Sequence, residues 1–120
     1  MLIKKLIDYN KNTGEADIMI TDGQYKILCY AYPFEDEDKR FALVTHMAKD
    51  VMRVETREYK LEKSISGYYS YNIQGEIIDI KKRIVKVGDI LIALEDVIPK
   101  DINTHDFIEF SVARVDYIEL

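Results

Sequence analysis

"GEADIMITDGQYKILCYAY", residues 14–32, holds two runs of alternating apolar and polar residues on either side of Asp22-Gly23. Asp-Gly adopts φ > 0 readily, as a two-residue type I′ turn requires, so the stretch predicts a β-hairpin. That turn sets Thr21 opposite Gln24. Ile20 then faces Tyr25, Ile18 faces Ile27 and Ala16 faces Cys29, all on one side. The other side pairs Met19 with Lys26 and Asp17 with Leu28. One apolar face and one mixed face suit a half-buried antiparallel sheet.

The flanking segments extend the β pattern. Residues 2–9 (LIKKLIDY) have helix-like spacing, but eight residues stopped by NKNTG are too few for a stable helix, so a strand is expected. After Pro33 the stretch 39–63 reads two ways. Phe41, Val44, Met47, Ala48 and Val51 lie on a 3.6-residue face, which predicts a short helix over 45–54 after a strand at 40–44. Residues 55–63 read as an exposed, charged strand. From 67 onward, YYSYNIQGEIIDI and IVKVGDILIALE read as two long strands joined by a turn at 81–83. Gly75 and Gly88 sit inside them, where glycine marks a bulge or bend. Residues 95–106 read as a loop, and 107–120 as a strand with Ile108, Phe110 and Val112 on one face.

About seven to nine short strands with at most one short helix predict an all-β chain, a small antiparallel barrel. The second half, GEIIDIKKRIVKVGDILIALEDVIP followed by HDFIEFSVARVDYIEL, resembles small OB-like barrels, in which a curved strand turns, returns and meets a proline-containing loop. The resemblance covers residues 67–120 and rests on patterning. It implies ligands across the middle strands and adjoining loops.

At 120 residues the chain has the length of a single domain, 1–120. No apolar run is long enough for a transmembrane helix, and the first ten residues lack the pattern of a signal peptide. The single cysteine cannot form an internal disulfide, so a cytoplasmic setting without membrane contact is expected. Net charge is −5, unevenly spread. Eight acids against four bases leave residues 1–38 at −4, eight against two leave 88–120 at −6, and eleven bases against six acids put 39–87 at +5. The overall balance disfavours nonspecific nucleic-acid binding, while the middle leaves room for a local basic patch.

Chemistry is sparse. Two histidines (His46, His105) and Cys29 are too few for a zinc site, and Glu35–Asp38 lacks the spacing and central glycine of a calcium loop. No glycine-rich phosphate loop or nucleophile motif is present, so neither a cofactor nor an enzymatic activity is expected. The one candidate ligand face combines Tyr69 and Tyr71, which share a side in an extended strand, with Lys81, Lys82, Arg83 and Lys86 in the next turn. Aromatics beside Lys and Arg hold single-stranded nucleic acid through stacking and phosphate contacts. Tyrosine is also an ordinary strand residue, and a Lys-Lys-Arg turn an ordinary solvated tip. The expected role is a binding module for a protein partner or for a homo-oligomer, with a weak nucleic-acid binder as the alternative.

Overall fold

The computed structural model describes residues 1–35 and 38–120. The acidic run 35–38, weighed above for calcium, lies partly outside them. Among the described residues there are eleven strands and no helix.

Strands β1 (Ile3–Tyr9), β2 (Ala16–Thr21) and β3 (Lys26–Ala31) form an antiparallel meander. The β2–β3 hairpin is present, but its register differs from the expected one. Thr21 faces Lys26, Ile20 faces Ile27, Ile18 faces Cys29 and Ala16 faces Ala31. The loop is therefore Asp22–Tyr25, two residues longer than a type I′ turn. Side chains made the difference. The Asp22 carboxylate accepts the N–H groups of Gln24 (2.9 Å) and Tyr25 (2.7 Å), and Thr21 Oγ1 donates to the Tyr25 carbonyl at 2.8 Å. A shift of two residues leaves each side chain on its face, so Ile18, Ile20, Ile27 and Cys29 are all fully buried.

Asp22 also reaches the next hairpin, accepting the Asp89 N–H at 2.9 Å. Partial burial raises its carboxyl pKa, yet the backbone donors outweigh this and hold it below the usual 3.8. A lowered folded value contributes stability above the unfolded pKa that is lost as pH falls through the folded one. Asp22→Asn keeps one acceptor and loses the charge, so it should cost about 1 kcal/mol at neutral pH. In urea titrations the gap to the parent should narrow as the pH falls below 3.8. A gap independent of pH would contradict this role.

The strand expected at 40–44 is present, but residues 45–54, expected as a helix, continue it, so that 41–54 form one long bent strand. β4 (Phe41–His46) and β5 (Lys49–Val54) lie opposite β11 (Arg114–Glu119) and β10 (Phe107–Val112) in a common register, from Phe41–Glu119 through His46–Arg114 to Lys49–Ser111. Both partners bend at one corner, Met47-Ala48 in the first and Ala113 in the second. Met47 takes a left-handed backbone at that corner (φ 55°), and Asp50 does so further on (φ 57°), where the β5–β10 register shifts. A two-residue alternation whose phase slips at a corner imitates helical spacing over a dozen residues. Glu95 caps the bend, accepting from the Thr45 hydroxyl (2.9 Å) and from Met47 and Ala48 N–H (2.7 and 2.8 Å).

The remaining strands are β6 (Lys60–Lys63), β7 (Tyr71–Asp79), β8 (Ile84–Val87) and β9 (Ile90–Ala93). The expected long strand over 84–95 is thus a hairpin with Val87 facing Ile90. Gly88, at φ 59°, takes the first central position of its two-residue turn, a position glycine fills in type II′ hairpins. The tight turn sought at Asp22-Gly23 stands here. Gly75 lies mid-strand, where a Cβ would sit 2.4 Å from the Lys86 carbonyl oxygen.

All eleven strands join one mixed sheet in the order β1-β2-β3-β11-β4-β9-β8-β7-β10-β5, with β6 on the flank of β7. The pairs β3–β11 and β4–β9 are parallel. The expectation of seven to nine strands, all antiparallel, is thereby corrected. The ladder does not close: β1 and β5 end the path. The sheet nevertheless curls around one continuous core that unites Ile18 and Ile27 of the first meander with Ile73, Val85, Ile92 and Ile108.

Candidate binding cleft

The proposed ligand face does not assemble as one surface. Tyr71 opens β7 and turns into the core, where its hydroxyl accepts the Leu28 N–H at 2.9 Å. Tyr69 precedes the strand in a turn, so strand alternation does not set it beside Tyr71. Its ring meets Tyr68 and Tyr30 edge-on, with centroids 4.7 and 5.6 Å apart. Both Tyr68 and Tyr69 donate to the Asp17 carboxylate, at 3.2 and 2.5 Å. Burial, then the bonded carboxylate, pushes the Tyr69 phenol up, so it is a neutral donor. Carboxylates take the hydroxyls of this group, Tyr30 donating to Glu15 at 2.8 Å, while the Arg114 guanidinium lies over the Tyr30 ring, 4.7 Å from its centroid.

The basic residues stand at the other end of β7, a nine-residue strand that spans about 26 Å between its end residues. Lys81 and Lys82 are exposed in the turn after β7. Arg83 is half-buried and structural: its Nε donates to the Leu94 carbonyl at 3.1 Å, and its own carbonyl accepts the Leu94 N–H. Lys86 lies in β8 opposite Glu76. His105 puts Nδ1 3.1 Å from Glu76 Oε2, with its side chain open to solvent. His46 ends β4 opposite Arg114. Cys29 is fully buried; burial and then the nearby Asp116 push its thiol up, away from the reactive thiolate.

A different surface offers a concave apolar site. The parallel neighbours β4 and β9 pair at one position, where Val44 faces Ala93. On the N-terminal side of that contact a cleft of about 530 Å³ opens, lined by Leu2, Ala42, Leu43, Leu91, Ala93 and Leu120. Strand alternation points Leu91 outward between buried Ile90 and Ile92. Leu91 is 46% exposed, Leu120 69% and Leu2 37%. Next to Ala42, across the β4–β11 ladder, Ile118 adds a fourth exposed aliphatic chain. The wall is firm because Phe41 stacks on Tyr117 (centroids 4.8 Å, 19° between planes) and Lys4 lays its ammonium over both rings. Arg40 and Asp89 line the cleft beside the first residues of β4 and β9, which run the same way, so the two charges share one end.

Scattered single leucines are normal on a surface, whereas clustered ones around a cleft mark an interaction site. Sequence reading passed over this set because it draws on the chain's first and last residues, two separate strands, and a strand read as continuous through Gly88. Its one visible signal was Leu91, an apolar residue at an outward position of ILIA. Comparison with protein families, with curated proteins and with solved structures finds no match to this chain.

Proposed function

We propose that the protein is a non-enzymatic binding module that takes an apolar polypeptide segment into the cleft beside β4 and β9. The supporting observation is the cluster of exposed Leu2, Leu91 and Leu120 around about 530 Å³ of open volume. Sites that bury a ligand are mostly apolar, preformed and roughly 300–1,000 Å³ in size. A cytoplasmic setting and kinship with OB-like barrels belong to the same proposal. The kinship draws support from one curled sheet around one core and from a glycine inside a long strand where the neighbouring backbone comes close.

Short random peptides displayed on phage and selected against the folded protein provide the test. Selected peptides should be apolar, and Leu91→Glu should weaken them by about tenfold or more, as expected when a charge enters an apolar contact. Selected peptides indifferent to Leu91→Glu would overturn the reading.

The alternative, a weak single-stranded nucleic-acid binder, keeps one observation in its favour. Lys81, Arg83 and Lys100 surround a pocket of about 360 Å³ that Ile98 and Ile102 also line. If that pocket meets phosphate, oligothymidylate should bind with an affinity that falls steeply with salt and drops in Lys81→Glu.

A further inference from the structure

We infer that the occupant of the cleft is a second copy of this chain, related by a two-fold axis that passes between Arg40 and Asp89. The inference rests on reading the cleft as a binding site and names its partner.

A two-fold interface brings one patch against itself, so the patch must be self-complementary. Two like charges at the mouth would repel their own symmetry mates. Here the mouth carries one charge of each sign. An axis through the midpoint between Arg40 and Asp89 sets the guanidinium of each copy over the carboxylate of the other. The same rotation covers Leu2, Leu91 and Leu120 of one copy with those of its mate. Neither charge is held by another charged side chain among the described residues. No carboxylate among the described residues pairs with Arg40. Asp89 has a long contact, 3.4 Å, to the Met1 amino group. An unrelated partner would not require opposite signs at one end of the cleft.

Sedimentation equilibrium over about 5–500 µM covers the affinity expected of a small interface. The parent protein should shift from monomer to dimer across that range, with Leu91→Glu remaining monomeric. Arg40→Glu and Asp89→Arg should each weaken dimerisation by about tenfold, because each places like charges together at two symmetry-related contacts. The double variant restores opposite signs and should recover to within about threefold of the parent, an effect that a folding defect cannot produce. A parent monomeric throughout, or a double variant no better than the singles, overturns the inference. The apolar dye bis-ANS then separates the two readings. A monomer that takes up the dye, with uptake lost in Leu91→Glu, leaves the cleft a binding site for another partner. A monomer without such uptake sinks both.

Discussion

Gly75→Ala should destabilise the protein by about 3 kcal/mol or more and lower the melting temperature by roughly 10 °C or more. The position looks permissive, since its φ lies outside the left-handed region that favours glycine. Space is the constraint. An added Cβ would stand 2.4 Å from the Lys86 carbonyl oxygen and 2.9 Å from methyl groups of Val85 and Val87. Both valines are fully buried and cannot turn away, and the carbonyl belongs to the backbone of the neighbouring strand. The new methyl group can be accommodated only by parting β7 from β8, at the cost of ladder bonds and core contacts. Gly23→Ala is the control. Its φ of 95° strains any side chain, but nothing lies within 4 Å, so a loss nearer 1 kcal/mol is expected. Urea unfolding of both variants decides the matter. A Gly75→Ala loss no larger than that of Gly23→Ala would show that the strands part freely there.

Tyr71→Phe removes one oxygen atom and should cost about 2 kcal/mol. Along the side of β3 that meets β11, pairing is confined to Tyr30 and Ala31, opposite Asp116 and Tyr117. Leu28, two residues earlier on that side, donates its N–H to the Tyr71 hydroxyl instead of to a strand. A phenol from β7 thus takes the place of a ladder bond where the sheet curls without closing. Burial raises the Tyr71 phenol pKa although the Leu28 N–H acts the other way, so the hydroxyl stays neutral. Phenylalanine would fill the same volume and leave a backbone donor without a partner. Hydrogen exchange at the Leu28 amide should accelerate along with the loss in stability. An amide still protected in a variant as stable as the parent would show that the hydroxyl closes nothing.

The two variants differ in how far sequence foresaw them. Gly75 was legible as a special position, because glycine amid β-branched residues weakens a strand unless close packing requires it. Tyr71 was legible only as a tyrosine. Alternation put it beside Tyr69, yet the strand begins at Tyr71, and Tyr69 is held outside it by Asp17, a residue far away in sequence. The basic turn at 81–83 was placed correctly between two strands, but the length of β7 sets it far from the tyrosines. Of the six residues in the expected ligand face, Lys81 and Arg83 line the basic pocket, in company with Lys100 from the 95–106 loop.

Local pattern determined what depends on a period of two residues: that the chain is β throughout most of its length, and which side chains of the first hairpin turn inward. Those faces survive a register shift of two, which is why Ile18, Ile20, Ile27 and Cys29 are buried although their predicted partners were wrong. Tertiary structure alone decided the corner at Met47-Ala48, the parallel pairs and the cleft. Several groups that shape the sheet act beyond the reach of a local pattern: the Asp22 and Glu95 carboxylates, the Tyr71 hydroxyl and the Lys86 carbonyl. Except for Asp22 with its own loop, each acts on backbone distant in sequence. Alternation records which way a side chain points; it carries no information about which distant backbone group that side chain will meet.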